Sequence, residues 1–334
     1  MFAYTIRRLV QMIPLLFAAS VVIFALLALQ PGDPLDELRQ NNPNLTAEQL
    51  EQLRKAYGLD QPIYVRYFKW LGRALQGDLG QSRSYGVKAA EFVFGERLPR
   101  TLLLSGLAFA VALLIAIPVG IFSAVRQYST ADYVITFMTF IGFSTPVFFL
   151  GIILLYLFTV VVPERTGLPA LPTGLPSLFW SDVTSGSISF FSYVGTWATH
   201  LILPVMTLAL IQMASWTRYM RASLLEVLGQ DFIRTARAKG LAERKVLYKH
   251  ALRNALIPIV TLVGLAVPGV LGGAIITENI FSYPGMGRTI FESLLAKDYN
   301  VAMAALAMLA VLTALFNLIA DLLYAVVDPR IRYS

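Results

Sequence analysis

DFIRTARAKGLAERKVLYKHALRNALIP, residues 231–258, lies between two long apolar runs and carries seven Lys/Arg from Arg234 to Arg253. Only Asp231 and Glu243 oppose them. A basic loop between membrane spans faces the cytoplasm by the positive-inside rule. The segment also reads as structured. Asp231 suits a helix N-cap, Gly240 suits the end of a short helix, and Pro258 suits the start or a kink of the next span. Two short helices hinged at Gly240 are expected, forming a docking element on the cytoplasmic side.

The apolar runs on either side set the class of the chain. Hydrophobic residues make up 57% of it, charged residues 14%, and the mean hydropathy is +0.65. Those values lie outside the soluble globular class. A helix needs roughly 20 apolar residues to cross a bilayer core. Runs of that kind occur at 9–30, 101–125, 133–163, within 183–217, at 254–277 and at 299–320. Six spans follow, in an all-α polytopic membrane protein. Arg7 and Arg8 precede the first run, and Pro31-Gly-Asp-Pro34 follows it in place of a small-residue cleavage site. An uncleaved anchor is expected there.

The net charge of +7 reads as a membrane-surface feature rather than a nucleic-acid footprint. Ten Lys/Arg in 31–100 are balanced by nine acids, and the uncompensated cations sit in 218–253. No cysteine is present, which excludes disulfides, thiolate metal sites and cysteine nucleophiles. With the N-terminus inside, six spans return the C-terminus to the cytoplasm. Segments 31–100, 164–197 and 278–298 are then external, and 126–132 and 218–253 internal. The domain reading is an anchor helix at 1–30, an external helical loop at 31–100 and a transmembrane core at 101–330, with a cytoplasmic coupling loop at 218–254.

The external loop reads as folded. Thr46-Ala-Glu-Gln49 is a capping box, with Leu45 and Leu50 at the staple positions. Leu50, Leu53 and Tyr57 share one face, and Gly58 ends the helix. A second amphipathic piece runs from Ile63 to Leu75, with Tyr64, Tyr67, Phe68 and Leu71 on one side. With Trp70, its tyrosines favour a position flat on the outer membrane surface.

RTARAKGL (234–241) with HALRNALIP (250–258) resembles the cytoplasmic loop of ABC importer permeases of the dipeptide/oligopeptide/nickel class. The general importer pattern begins Glu-Ala-Ala. Here Arg234, Thr235 and Ala236 take those places and Gly240 keeps the spacing, as in the peptide branch. GLDQP (58–62), YFKWL (67–71), GDLGQS (77–82), ENIFSYPGMGR (278–288) and DLLYAVVDPRIR (321–332) extend the resemblance over nearly the whole chain. They resemble the first permease subunit of dipeptide importers. The resemblance implies a peripheral first helix, a five-helix core, a second similar permease, two cytoplasmic ATPases and an external solute-binding protein. It further implies that ATP and Mg are held by the partner ATPases and that this chain binds no cofactor. In such permeases the loop enters a cleft of the ATPase, which assigns that contact to Arg234, Thr235, Ala236, Ala238, Lys239, Gly240, Leu241 and Arg244. Relatives also serve nickel chelates, glutathione and oligosaccharides, which stand as alternative substrates. A patch that only binds anionic lipid is the alternative for the loop.

Catalytic chemistry finds few residues here. His200 and His250 are the only histidines, and no GxxxxGK[ST] cradles a phosphate. Energy for transport must come from another subunit or from an ion gradient. A gradient-driven transporter places ionisable groups within its spans, where this chain offers only Asp321 near the end of the last. That counts against a secondary transporter. Along the spans, Ser144-Thr145-Pro146 and Pro268 break or bend the helix, and Glu278 sits at the mouth of span five. These five residues are the expected walls of a translocation path. No metal site is expected.

Overall fold

The computed structural model describes residues 2–30, 46–56, 60–178 and 180–327. Among them the chain is helical, with one isolated bridge between Gln81 and Lys88 and no strand. In chain order come α1 (Phe2–Ala28), α2 (Ala47–Ala56) and α3 (Ile63–Ala74). A π-helical stretch, Glu91–Arg97, leads into α4 (Leu98–Val125). Then follow α5 (Thr130–Ser144), α6 (Val147–Tyr156), α7 (Val162–Thr166) and α8 (Trp180–Thr184). The last are α9 (Phe190–Leu228), α10 (Asp231–Ala238), α11 (Glu243–Lys245), α12 (Leu252–Ile280), α13 (Met286–Leu295) and α14 (Tyr299–Val327).

Six stretches of the described residues are long and apolar enough to cross a membrane: Thr5–Ala28, Glu91–Val125, Val147–Thr166, Phe190–Leu228, Glu243–Gly264 and Tyr299–Leu322. Large apolar side chains stay on their outsides, among them Leu26, Leu114 and Phe148, each at least half exposed. Such surfaces belong in lipid or against a partner. The third span departs from the continuous run expected at 133–163. Thr145 leaves the helical region at ψ 122 and Pro146 is the extended N-cap of α6, so the expected run is broken into separate helices. The Thr145 hydroxyl and its own N–H both donate to the Ile141 carbonyl, at 2.7 and 3.0 Å.

The chain divides into two compact units, 2–100 with 285–315, and 101–284 with 316–334. Residues 285–315 group with 2–100 in the first of these units. In that unit the carboxylate of Asp298, fully buried, is the organising group. One oxygen accepts from the Ser82 hydroxyl at 2.6 Å and from the Arg83 and Ser84 amides at 2.9 and 3.0 Å. Gly80 (φ +82) lies so close to Asn300 that a Cβ would stand 2.8 Å from its amide group. Asn300 in turn donates to the Gln81 carbonyl at 2.8 Å.

Helix α3 packs on α1 through Tyr67 and Trp70, with Leu27, Ile23 and Phe24. The Ser20 and Tyr67 hydroxyls lie 2.9 Å apart. The expected face is thus rotated: Tyr67 and Leu71 turn inward with Trp70, whereas Tyr64 and Phe68 are 66% and 60% exposed.

The capping box is present as expected. The Gln49 amide donates to Thr46 Oγ1 at 3.3 Å, and the Thr46 amide donates to Gln49 Oε1 at 2.9 Å. Leu45, Tyr57, Gly58, Pro31–Pro34 and the end of the DPR tail lie outside the described residues, as does the side chain of Leu53. Thr46→Ala is expected to destabilise α2 by about 1 kcal/mol. Faster amide exchange confined to 47–56, with coupled ATP hydrolysis unchanged, checks this.

Candidate functional site

The site is built in the unit formed by 101–284 and 316–334. Helix α9 is 39 residues long, about 58 Å at 1.5 Å per residue, against a hydrocarbon core of roughly 30 Å. The helix is therefore longer than the core is thick. Residues 218–228, expected as loop, are the continuation of this helix.

After Gly229 the chain turns into α10. The N-cap is Gln230, in extended geometry, with Asp231 one place further on. That corrects the expected cap. Asp231 still lies in the first turn, where its charge suits the N-terminal end of the helix dipole. Ile233 and Ala236, three apart, share one face and are buried in a cluster with Met220, Leu224, Val246, Ala251, Ala255 and Ile259. Burying an Ile side chain fully contributes about 1.5–3 kcal/mol, which fixes a helix too short to persist alone.

Helix α10 ends at Ala238 with Lys239 as its C-cap, and Gly240 adopts φ +73. Left-handed geometry at that position is what the sequence required. The expected second short helix does not stand separately. Helix α11 runs without a break through a π-helical stretch, Val246–Ala251, into α12. Pro258 falls inside α12 rather than at its start. Arg237 grips Glu243 in a two-pronged pair, Nε to Oε1 at 2.8 Å and Nη2 to Oε2 at 3.3 Å, closing the turn around Gly240. Ser223 Oγ donates to the Ala255 carbonyl at 2.8 Å, tying α9 to the foot of α12.

Of the eight residues assigned to the ATPase contact, Arg234, Thr235, Ala238, Lys239, Gly240 and Arg244 lie on the exposed face. Ala236 is corrected: at 7% exposure it faces the chain's own core. Leu241 is half-buried against the same cluster. Phe232 and Tyr248, which sequence reasoning passed over, are 44% and 56% exposed. Ala242, Arg244, Lys245 and Tyr248 line a recess of about 470 Å³.

Ser144 and Pro146 are exposed, and Thr145 is half-buried. The side chain of Pro268 lies outside the described residues. Glu278 is fully buried, with the Thr101 hydroxyl donating to it at 2.6 Å, so it does not line an open mouth. Helix-breaking residues mark where backbones bend but leave the facing side chains undetermined.

An ion pair with a buried carboxylate went unread in the sequence. Asp132, 1% exposed, accepts from Arg221 Nε at 2.7 Å and Nη2 at 2.8 Å, from the Ser123 hydroxyl, and from the Tyr128 amide at 2.9 Å. Arg221 foremost, then Ser123 and Tyr128, hold this carboxyl below the usual carboxylate range, against the opposing effect of burial. Ser129 caps α5 through the Asp132 amide at 3.2 Å. The Ser129-x-x-Asp132 spacing was the available signal, but nothing local names Arg221 as its partner.

The sequence profile of the family described as "Binding-protein-dependent transport system inner membrane component" matches residues 116–333. The profile of the N-terminal part of such membrane components matches residues 1–90. "Oligopeptide transport system permease protein AppB" of Bacillus subtilis (strain 168) is 43% identical over 334 residues, all of both chains. "Dipeptide transport system permease protein DppB" of Escherichia coli (strain K12) is 36% identical over 345 residues, again all of both chains. Among solved structures, the MetNI methionine ABC transporter in inward facing conformations aligns with 70% of this chain and 96% of its own. Its TM-score is 0.50 and its identity 16%, a likeness of fold.

Proposed function

This chain belongs to the family of binding-protein-dependent transport system inner membrane components, and from that premise we propose that it is the permease subunit of an ATP-driven importer of dipeptides and oligopeptides. It is a multi-pass protein of the bacterial inner membrane. It forms half of the translocation pathway beside a second, homologous permease, and two ATPases and an external solute-binding protein complete the assembly. The N- and C-termini lie in the cytoplasm. ATP and Mg are bound by the ATPases, and this subunit has no catalytic role.

The observation that carries the reading is the construction of 231–258. One face of α10 is sunk in the permease core, and the other presents Arg234, Thr235, Ala238 and Lys239 outward. A surface so rigidly mounted suits mechanical coupling. ATP-driven closure of the ATPases displaces α10, and the continuous helix from Glu243 to Ile280 carries the movement into span five. Each conformation must make different contacts with the nucleotide-bound and nucleotide-free partner for this to work.

Uptake by vesicles holding the complete complex tests the substrate class. Labelled di- and oligopeptides are expected to accumulate with ATP, and nickel chelates, glutathione and oligosaccharides are not. Import of one of those in place of peptides would overturn the assignment. The purified chain alone is expected to hydrolyse no ATP above a protein-free blank, because it lacks a phosphate-binding loop. Hydrolysis that co-elutes with the pure polypeptide refutes that division of labour.

A further inference from the structure

The pair of Asp132 and Arg221 plays no part in the docking surface. It lies where three helices meet. Ser123 belongs to the last turn of α4, Asp132 to the first turn of α5, and Arg221 to the C-terminal part of α9. Both carboxylate oxygens are occupied, each by one prong of the guanidinium and one further donor. Such a fork fixes orientation as well as distance. Tyr128 sits at φ +64, a conformation unfavourable for a bulky residue, and its amide is held there by Asp132. Just before the clamp, Gly120 lets α4 approach α9 so closely that a Cβ would lie 2.6 Å from Met220 Cβ.

The clamped helices also share a core with α10. Ala124 of α4 and Met220 and Leu224 of α9 pack in the cluster that holds Ile233 and Ala236. Asp132 is buried while the Arg221 side chain is 25% exposed, and replacing such a pair by apolar residues is often neutral for stability, so stability alone does not account for it. A fixed relative geometry of three helices does.

We propose that Asp132 and Arg221 are positioning residues of the coupling step. They bind the 126–132 turn and α5 to the end of α9, so that displacement of α10 reaches α4 and α5 as well as α12. Span two and α5 then move with span four when the ATPases close. This rests on the reading of 231–258 as the ATPase-docking surface.

The test uses the complete complex in lipid vesicles, with ATP hydrolysed per peptide imported as the readout. Asp132→Asn/Arg221→Met removes both charges together, and the Asn side chain keeps an oxygen for the Tyr128 amide to donate to. This double variant is expected to keep its ATPases and its melting temperature, while the ATP spent per peptide rises about fivefold, the low end of common allosteric couplings. Arg221→Lys, which keeps the charge without the fork, is expected to fall between it and the parent. A double variant with the parental ratio overturns the proposal, since the pair then only packs. A double variant that loses its ATPases or its thermal stability also overturns it, because the pair then serves docking or folding. The docking reading stands or falls separately, on Gly240→Val.

Discussion

Gly240→Val is expected to abolish ATP-driven uptake while leaving the permease inserted and folded. Within the chain, a Cβ at this position meets nothing within 4 Å, so no steric clash arises there. The internal cost is the left-handed backbone alone, about 1–2 kcal/mol for an L-residue and worse for a β-branched one. Ile233 and Ala236 still anchor α10, and the Arg237–Glu243 pair still closes the turn. Any larger loss must therefore arise at the partner, where the added bulk is presented. Gly240→Asn separates the two causes, because Asn tolerates left-handed geometry yet also adds bulk. Both variants are expected to lose co-purifying ATPase or coupled uptake, with melting in detergent lowered only for Val. Neutralising Arg237 or Lys239 is expected to do much less, as exposed ion pairs contribute about 0–1 kcal/mol. Wild-type coupling in Gly240→Val would sink the docking reading. Neutral variants more damaging than Val would instead favour a lipid-binding patch.

The second large effect is expected at Gly120, and this one is internal. An added methyl would stand 2.6 Å from Met220 Cβ and 2.9 Å from the Thr217 carbonyl oxygen, neither at the far end of a flexible side chain. Helices α4 and α9 must part to admit it. Overpacking of that kind costs about 1–3 kcal/mol for small additions, so Gly120→Ala should lower the melting temperature of the purified complex and Gly120→Val should prevent assembly. Gly106 provides the control: it lies on the same helix, and a Cβ there would meet nothing within 4 Å. Gly106→Ala is expected to be neutral or slightly stabilising. Equal effects at the two glycines would show that the close approach is not a determinant of packing.

What could be read from residues alone divides by the range of the interaction. Apolar runs disclose spans because crossing a bilayer is a demand on composition and length. Gly240 was legible because positive φ is a demand on one residue, and the Thr46–Gln49 box because its partners lie three apart. The Asp132–Arg221 pair spans 89 positions and the Ser82–Asp298 anchor 216; such pairings exist only once the helices are placed. The same limit explains Glu278, whose position near a span's end suggested a mouth but whose carboxylate is enclosed. Ala236 was misassigned for a different reason. A motif names residues that recur together, and burial separates those that hold the helix from those that meet a partner.

The π-helical stretch at Val246–Ala251 makes this joint tolerant of a change in chain length. A π-turn is an α-helix holding one surplus residue. Removing a single residue from 246–251 returns the stretch to ordinary pitch and leaves every downstream side chain of α12 pointing as before. The same deletion in the middle of α9 rotates all that follows by about 100° and shortens the helix by about 1.5 Å. Among homologous chains, single-residue gaps between the docking helix and span five are therefore compatible with a working permease, whereas gaps inside α9 are not.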